Sequence, residues 1–324
     1  MINALIGLVV FLAFAASVPA RAQQYPTKPI TMLVPFAGGG PTDTVARLIA
    51  KPMGDILKQQ IVVENVAGAG GTIAAHRVAR AAPDGYTLLI YHIGMATAPA
   101  LYLKLPFKPL EDFDYVGLIN EVPMTLVARS NFPAKDLRDL IAYVKVNKNK
   151  VTLANAGLGA ASHLCGLLFM TAIETDLTTV PYKGTTPAMN DLLGGQVDLM
   201  CDQTTNTTSQ IKAGKIKVYG VTSKKRVASL PQIPTMDESG LKEFEVSIWH
   251  GLYSAKNTPP PVIAALTKAL QTSLKDSTVR QRHADLGAEV VGDGEATPEG
   301  LRARLKAEID KWGPVIRKAG VYAD

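Results

Sequence analysis

Cysteine is scarce in this chain: Cys165 and Cys201 are the two among 324 residues. That excludes a disulfide scaffold. The lack of any cysteine before Cys165 argues against a lipid-anchored leader. Long hydrophobic runs are also missing. The apolar stretch over 4–16, ALIGLVVFLAFAA, is shorter than the roughly 20 residues a spanning helix needs. Ala20-Arg21-Ala22 follows it, and the pair reads as a secretory signal cut after Ala22. Its start is atypical, because Met1 to Gly7 carries no Lys or Arg. The mature protein is expected in the periplasm. Clustered positive charge is absent too. Lys+Arg 34 against Asp+Glu 28 gives +6, and pI ≈ 9.1, but the basic residues are scattered, which speaks against nucleic-acid binding. His76, His92 and His283 lack metal-ligand spacing and read as ordinary polar positions. No internal repeat or low-complexity tract occurs.

What is present is an alternation of strand-like and helix-like runs. About 300 mature residues exceed one ordinary core, so two domains are expected. Strands are expected at 30–34, 60–64, 86–91, 115–119, 123–128, 151–154, 177–181, 196–200, 216–222, 246–253 and 289–291. Helices are expected at 41–58, 71–82, 136–147, 162–173, 186–193, 206–213, 260–274, 276–286 and 297–319. The pattern predicts an α/β protein with mainly parallel sheets. Pro52 is expected to kink or split the first helix.

Four segments share one design: 36–43, 65–72, 155–163 and 202–208. Each is expected to follow a strand and open a helix, at the carboxyl end of an open sheet where ligands bind. In the first, Phe36-Ala37-Gly38-Gly39-Gly40-Pro41-Thr42-Asp43, glycines let backbone N–H groups approach a guest. Pro41 suits a first helical turn, and the helix dipole favours an anion there. None of the four segments contains Lys or Arg. The donors are then neutral: backbone N–H, the hydroxyls of Thr42, Thr72, Ser162, Thr204 and Thr205, and His163. Such a set suits reversible capture of a carboxylate. It lacks the Gly-Lys-Ser/Thr ending of a nucleotide-hydrolysing loop.

These residues resemble the substrate-binding proteins of tripartite tricarboxylate transporters, the Bug family. The match includes Tyr25-Pro26-x-Lys28-Pro29-Ile30, Val34-Pro35-Phe36-x-x-Gly39-Gly40-x-x-Asp43, Val63-Glu64-Asn65 with Gly68-x-Gly70-Gly71, and Pro83-Asp84-Gly85-Tyr86-Thr87. It continues through Gly157-x-Gly159-x-x-Ser162-His163-Leu164, Val180-Pro181-Tyr182-Lys183-Gly184, Leu192-Leu193-Gly194-Gly195-Gln196-Val197-Asp198, Leu230-Pro231-x-x-Pro234-Thr235 and Trp249 before Gly251-Leu252. Ala37 departs from a common proline. Cys165 and Cys201-Asp202-Gln203-Thr204-Thr205 look like a subgroup feature.

The resemblance implies a two-lobed periplasmic-binding-protein fold, type II-like, a Venus flytrap with a ligand cleft between lobes. Residues 1–22 would be signal, 23–125 plus 248–324 lobe one, and 126–247 lobe two, with a hinge near 122–130 and 244–253. It implies a non-enzymatic monomer without cofactor or metal that delivers a small carboxylate to the transporter's membrane permease, or presents it to a sensor protein. The ligand set it implies is Phe36, Gly38, Gly39, Thr42, Asp43, Gly70, Gly71, Thr72, Gly159, Ser162, His163, Tyr182, Asp202, Thr204 and Thr205. The ligand stays open. Phe36 would tolerate an aromatic ring, whereas Asp202 would meet an ammonium group, as in an acidic amino acid. Cys165 and Cys201, both in lobe two, either pair as a disulfide in an oxidising compartment or stay buried thiols. The alternative class is a secreted hydrolase using Ser162 and His163 with Asp202 as orienter, although no Gly-x-Ser-x-Gly elbow surrounds Ser162.

Overall fold

The computed structural model describes residues 25–320 and 322. The expected signal and its cleavage site lie outside them. No helix among the described residues is long and apolar enough to cross a membrane.

The chain opens with β1 (Ile30–Val34), α1 (Pro41–Leu57), β2 (Ile61–Asn65), a 3-10 turn (Ala69–Gly71), α2 (Thr72–Ala79), β3 (Thr87–His92) and α3 (Gly94–Leu101). The long β4 (Phe113–Arg129) leads to α4 (Leu137–Asn147), β5 (Thr152–Asn155), α5 (Ala161–Ala172), β6 (Thr178–Pro181), α6 (Thr185–Leu193), β7 (Leu199–Gln203), α7 (Thr204–Lys212) and β8 (Ile216–Val221). Then β9 (Ser247–Ala255), α8 (Pro260–Lys275), α9 (Ser277–Asp285), β10 (Glu289–Val290) and α10 (Pro298–Ala319) complete it.

The strands lie in the order β2-β1-β3-β9-β4-β7-β5-β6, with β8 and β10 also paired to β4. β1 is parallel to β2 and β3, and β5 to β6 and β7. β9 and β4 run against their neighbours. The sheet is therefore mixed, which corrects the expectation of mainly parallel pairing. The cause is the two long strands that carry the chain between halves. β4 pairs with β9 from Phe113 to Pro123, then with β7 and β8 from Met124 or Thr125 onward. Pro123 lacks an N–H and sits where the partner changes, a position that tolerates its missing ladder bond. Each half keeps its own parallel strands and its own helices, giving a two-lobed α/β fold with a cleft at the strands' carboxyl ends.

Several local expectations change. Residues 115–119 and 123–128 form one strand, because β9 pairs with it from Phe113 to Pro123; within it Asn120 Oδ1 lies 2.8 Å from His250 Nδ1, while Asn120 Nδ2 has no partner. α1 is not split at Pro52, and buried Val45, Ile49 and Met53 at helical spacing hold it to the sheet. The expected strand at 196–200 lies at 199–203 and passes directly into α7. The fourth segment is thus no loop: Asp202 is on the strand, and Thr204 and Thr205 open the helix. α3 has no counterpart in the sequence reading.

The main core packs the first half and continues along β4 into the second, through Phe113, Tyr253, Trp249 and Phe169. A smaller cluster around Val127, Met189, Leu192 and Met200 anchors α6 to the second half. Cys165 on α5 and Cys201 on β7 form a disulfide, with Cα atoms 5.9 Å apart.

Candidate functional site

β1 ends at Pro35-Phe36, and the chain must turn through three glycines to enter α1. Asp43 fixes this turn. Its carboxylate accepts from Gly39 N (2.9 Å), Asn65 Nδ2 (3.0 Å) and the Arg47 guanidinium (2.9 and 3.0 Å). Burial alone would raise the Asp43 pKa, but these bonds outweigh it and hold the carboxyl below its usual range. Asp43 is therefore occupied with its own loop. Arg47, a cation outside the glycine turn, is committed to it as well.

Four helices begin around one small cavity. Pro41 and Thr42 open α1, Ala161 and Ser162 open α5, Thr185 opens α6, and Gln203 caps α7; all line the cavity. The first-turn N–H groups of a helix have no intrahelical acceptor, and its N-terminus carries partial positive charge. Phe36, His92, Ala156 and Asp202 complete the wall. None of these lining residues is Lys or Arg, and Asp202 is their one carboxyl. The cavity measures about 10 Å³ at the water centre, room for about one water molecule. No group of three or more potential metal-ligating side chains occurs among the described residues.

The wall from the first half is polar but internally paired. His92 stacks on Phe36 with ring centroids 4.8 Å apart, and its Nδ1 accepts from Gly94 N at 2.9 Å. Burial lowers the His92 pKa to about 3, so the ring is neutral. Thr42 Oγ1 lies 3.3 Å from His250 Nε2, and His250 reaches Asn120 on β4. The wall from the second half differs. Asp202, 1% exposed, accepts from Asn206 Nδ2 at 2.6 Å through Oδ2. Its Oδ1 has no hydrogen-bond partner, nor do Gln203 Oε1, Thr185 Oγ1 and Thr205 Oγ1. Burial pushes the Asp202 carboxyl up to about 7, against the lowering pull of Asn206, the Gln203 backbone N–H and the Thr185 hydroxyl.

The walls touch directly. Ala37 N donates to Lys183 O (3.1 Å), Thr186 Oγ1 to Gly38 O (2.9 Å), Thr97 Oγ1 to Gly159 O (3.0 Å) and Tyr102 OH to Leu158 O (3.0 Å). At the mouth, Gly70 (φ +60°) faces Leu158 so closely that a Cβ would collide with its carbonyl oxygen. A wider groove outside this seam, of about 620 Å³, is lined by Gly70, Gly157, Tyr182 and Lys183.

Of the residues singled out in the sequence, Phe36, Thr42, Ser162 and Asp202 meet at the inner cavity. Gly38, Gly39, Gly70 and Gly159 lie along the seam, and Tyr182 in the outer groove with its OH on Asp191 (2.6 Å). Gly71 packs against Tyr91. Thr72 Oγ1 bonds Ala69 O, and Thr204 Oγ1 bonds Gly287 O. Thr205 is buried beside Thr204. Gln203, in the fourth segment, and Thr185 also line the cavity; His92, read as an ordinary polar position, was missed. The same rule that selected 36–43, the carboxyl end of a strand, would have found His92 on β3.

The hydrolase arrangement does not assemble. Ser162 Oγ accepts from Ala156 N at 2.8 Å, and His163 Nδ1 from Gly159 N at 3.4 Å. No hydrogen bond among the described residues joins Ser162 to His163 or His163 to Asp202. Burial lowers His163 to about 4, yet both side chains are spent on closing their own loop.

Residues 45–321 match the model of the tripartite tricarboxylate transporter family receptor. A protein in the TAR-I ttuE-ttuC' intergenic region of Agrobacterium vitis is 54% identical over 302 residues, 93% of this chain and 87% of its own. The solved periplasmic binding protein BugD is 55% identical, with TM-score 0.90 over 92% of this chain and 99% of its own. MatC from Rhodopseudomonas palustris, solved with bound malate, is 43% identical, with TM-score 0.88 over 90% of this chain and 100% of its own.

Proposed function

The chain belongs to the tripartite tricarboxylate transporter receptor family, the Bug family, and we propose that it is a periplasmic protein that captures one small carboxylate and delivers it to a transporter permease. The observation that carries this reading is the convergence of four helix N-termini, from both halves, on one cavity whose lining has no cationic side chain. Such a site holds an anion through N–H groups and dipoles and releases it without breaking an ion pair. Malate bound to the relative MatC is a ligand of the expected class.

A four-carbon acid is larger than the present cavity, so the walls part to admit it. Lobe one is taken as 23–125 plus 248–324 and lobe two as 126–247, turning about the crossings near 122–130 and 244–253. A ligand that touches both walls favours the closed form by its extra contacts there. Cleavage after Ala22 would release the mature monomer into the periplasm.

Calorimetry on the mature protein, with a panel of short aliphatic and aromatic acids, tests this. One acid is expected to bind one-to-one and unchanged by a chelator. At about 100 times its dissociation constant it adds roughly 2.7 kcal/mol of stability. Turnover of a carboxylate ester, or no binding across the panel, overturns the assignment.

A further inference from the structure

We infer that the turn Leu286-Gly287, between α9 and β10, is a third hinge point beside the two chain crossings. It holds the start of α7 at the rotation axis of the two halves. That helix N-terminus then stays in place when the cleft opens, while those of α5 and α6 move. The inference rests on the two-lobed capture reading above and adds where the halves pivot.

In sequence the turn belongs to the first half. α9 packs on α8 and α1, and β10 pairs with β4 at Asn120 and Glu121, ahead of the partner change. Its carbonyls, however, are bonded by the second half. Thr204 Oγ1 at the start of α7 donates to Gly287 O at 3.0 Å. Thr208 Oγ1, one helical turn on, donates to Leu286 O at 3.3 Å. Gly287 has φ +75°, and a Cβ there would stand 2.8 Å from Val227, 2.9 Å from Ser229 and 3.1 Å from Thr204. All three neighbours belong to the second half, so the turn is wedged into it at a position that both backbone and space reserve for glycine.

The wedge lies next to the crossings. Gly287 shares the lining of one cavity with Glu121 and Pro123 on β4 and Ser247 on β9. There Thr222 ties the two crossing segments together: its Oγ1 accepts from Met124 N (2.8 Å) and donates to Val246 O (2.6 Å). α7 is fastened to the crossing as well, with Thr207 Oγ1 2.8 Å from Thr125 Oγ1, just past the partner change. In a hinge rotation the displacement of an atom grows with its distance from the axis, and the axis runs through the crossings. Bonds beside them survive the rotation. The bond from Thr186, on α6, to Gly38 O spans the seam instead and breaks when the walls part.

Two measurements test this. A contact kept in both open and closed forms does not bias the equilibrium between them, so its loss lowers stability and leaves ligand affinity alone. Thr208→Val should shift the unfolding equilibrium toward the unfolded chain by about fivefold, the range of one neutral hydrogen bond, with affinity for the bound acid within about twofold of wild type. Gly287→Ala should unfold more readily still, because a side chain is strained at that φ, again with affinity kept; if it fails to fold, Thr208→Val carries the test. The second measurement is of distance. Spin labels at exposed Asn190→Cys on α6 and Ser209→Cys on α7 are each paired with exposed Lys268→Cys on α8, with malate and the other acids of the calorimetric panel as probes. The α6 distance should change on binding, and the α7 distance by less than about half as much. An affinity loss of about fivefold or more in Thr208→Val overturns the inference, as does an α7 distance that changes as far as the α6 distance. If an acid binds and neither distance changes, closure about a hinge is wrong and this inference falls with it, while the carboxylate reading stands. If no acid binds, the carboxylate reading fails and takes this inference with it.

Discussion

The two walls of the cleft are built on opposite plans. The wall from β1, β3 and α1 is a finished surface: Asp43 ties the glycine turn to Arg47 and Asn65, and Thr42 is tied through His250 to Asn120. The wall from β5, β7, α6 and α7 leaves Asp202 Oδ1, Gln203 Oε1 and Thr185 Oγ1 unpaired, and a disulfide braces it from behind. The first wall is tied together by its own side chains. The second keeps unpaired polar atoms at the cavity.

Reduction of Cys165–Cys201 is the strongest way to break this contrast. The bond closes a loop of 36 residues, worth about 4 kcal/mol in the loop-entropy model. The loss should appear in denaturant unfolding of the Cys165→Ala/Cys201→Ala protein. Amide exchange should rise in α5 and β7 and leave β1 and α1 unchanged; a uniform rise would mean that the brace serves the whole molecule.

Asp202 offers the next test, through pH. Its folded pKa, about 7, lies above the unfolded value near 3.8. The folded form therefore holds a proton that the unfolded chain gives up, and stability falls as pH rises from about 4 to 7. Buried His92 and His163, lowered to about 3 and about 4, act in the other direction, losing stability as pH falls below about 6.5. In the wild type the two slopes oppose each other. Asp202→Asn removes one, so its stability should climb relative to wild type between pH 4 and 7, by about 3 kcal/mol. Parallel pH profiles would place the raised carboxyl elsewhere.

Asp43→Ala attacks the finished wall. It strands Gly39 N–H and removes one of two bonds from Asn65 Nδ2, which keeps Phe36 O, while half-exposed Arg47 recovers water. A loss of about 2 kcal/mol is expected, with weaker binding of every acid alike. A change in the order of preferred acids would show that this wall discriminates. The smallest effect belongs to the seam. Thr186→Val removes the bond to Gly38 O and should weaken ligand binding by about 1 kcal/mol in calorimetry, with unfolding in the absence of ligand nearly unchanged.

Sequence patterns revealed most of the framework because its signals are local. The apolar run at Ile30–Val34 and the helical spacing of Val45, Ile49 and Met53 each report one buried face. α3 was invisible because Met95, Ala96, Ala98 and Leu101 are buried on several sides, which leaves no periodicity to read. β4 read as two strands because Asn120 and Pro123 resemble a break until β9 pairs across them and His250, 130 residues away, meets the Asn120 oxygen. The site follows the same division. Phe36, Thr42, Ser162 and Asp202 sit in glycine- or threonine-rich runs that stand out. His92 is a single polar residue at a strand end, and only the arrival of His250 and Phe36 in space gives it a place in the wall.

The partner change on β4 has a consequence for how such receptors can diversify. The chain enters the second half by Met124 and returns by Ser247, and the stretch between them carries Asp202, Gln203, Thr185 and the disulfide. Of the four helix N-termini at the cavity, that of α1 lies outside this stretch and those of α5, α6 and α7 lie within it. Variation confined to one contiguous segment of the gene can therefore reshape three of the four helix N-termini at the cavity while α1, its glycine turn and β9 stay as they are.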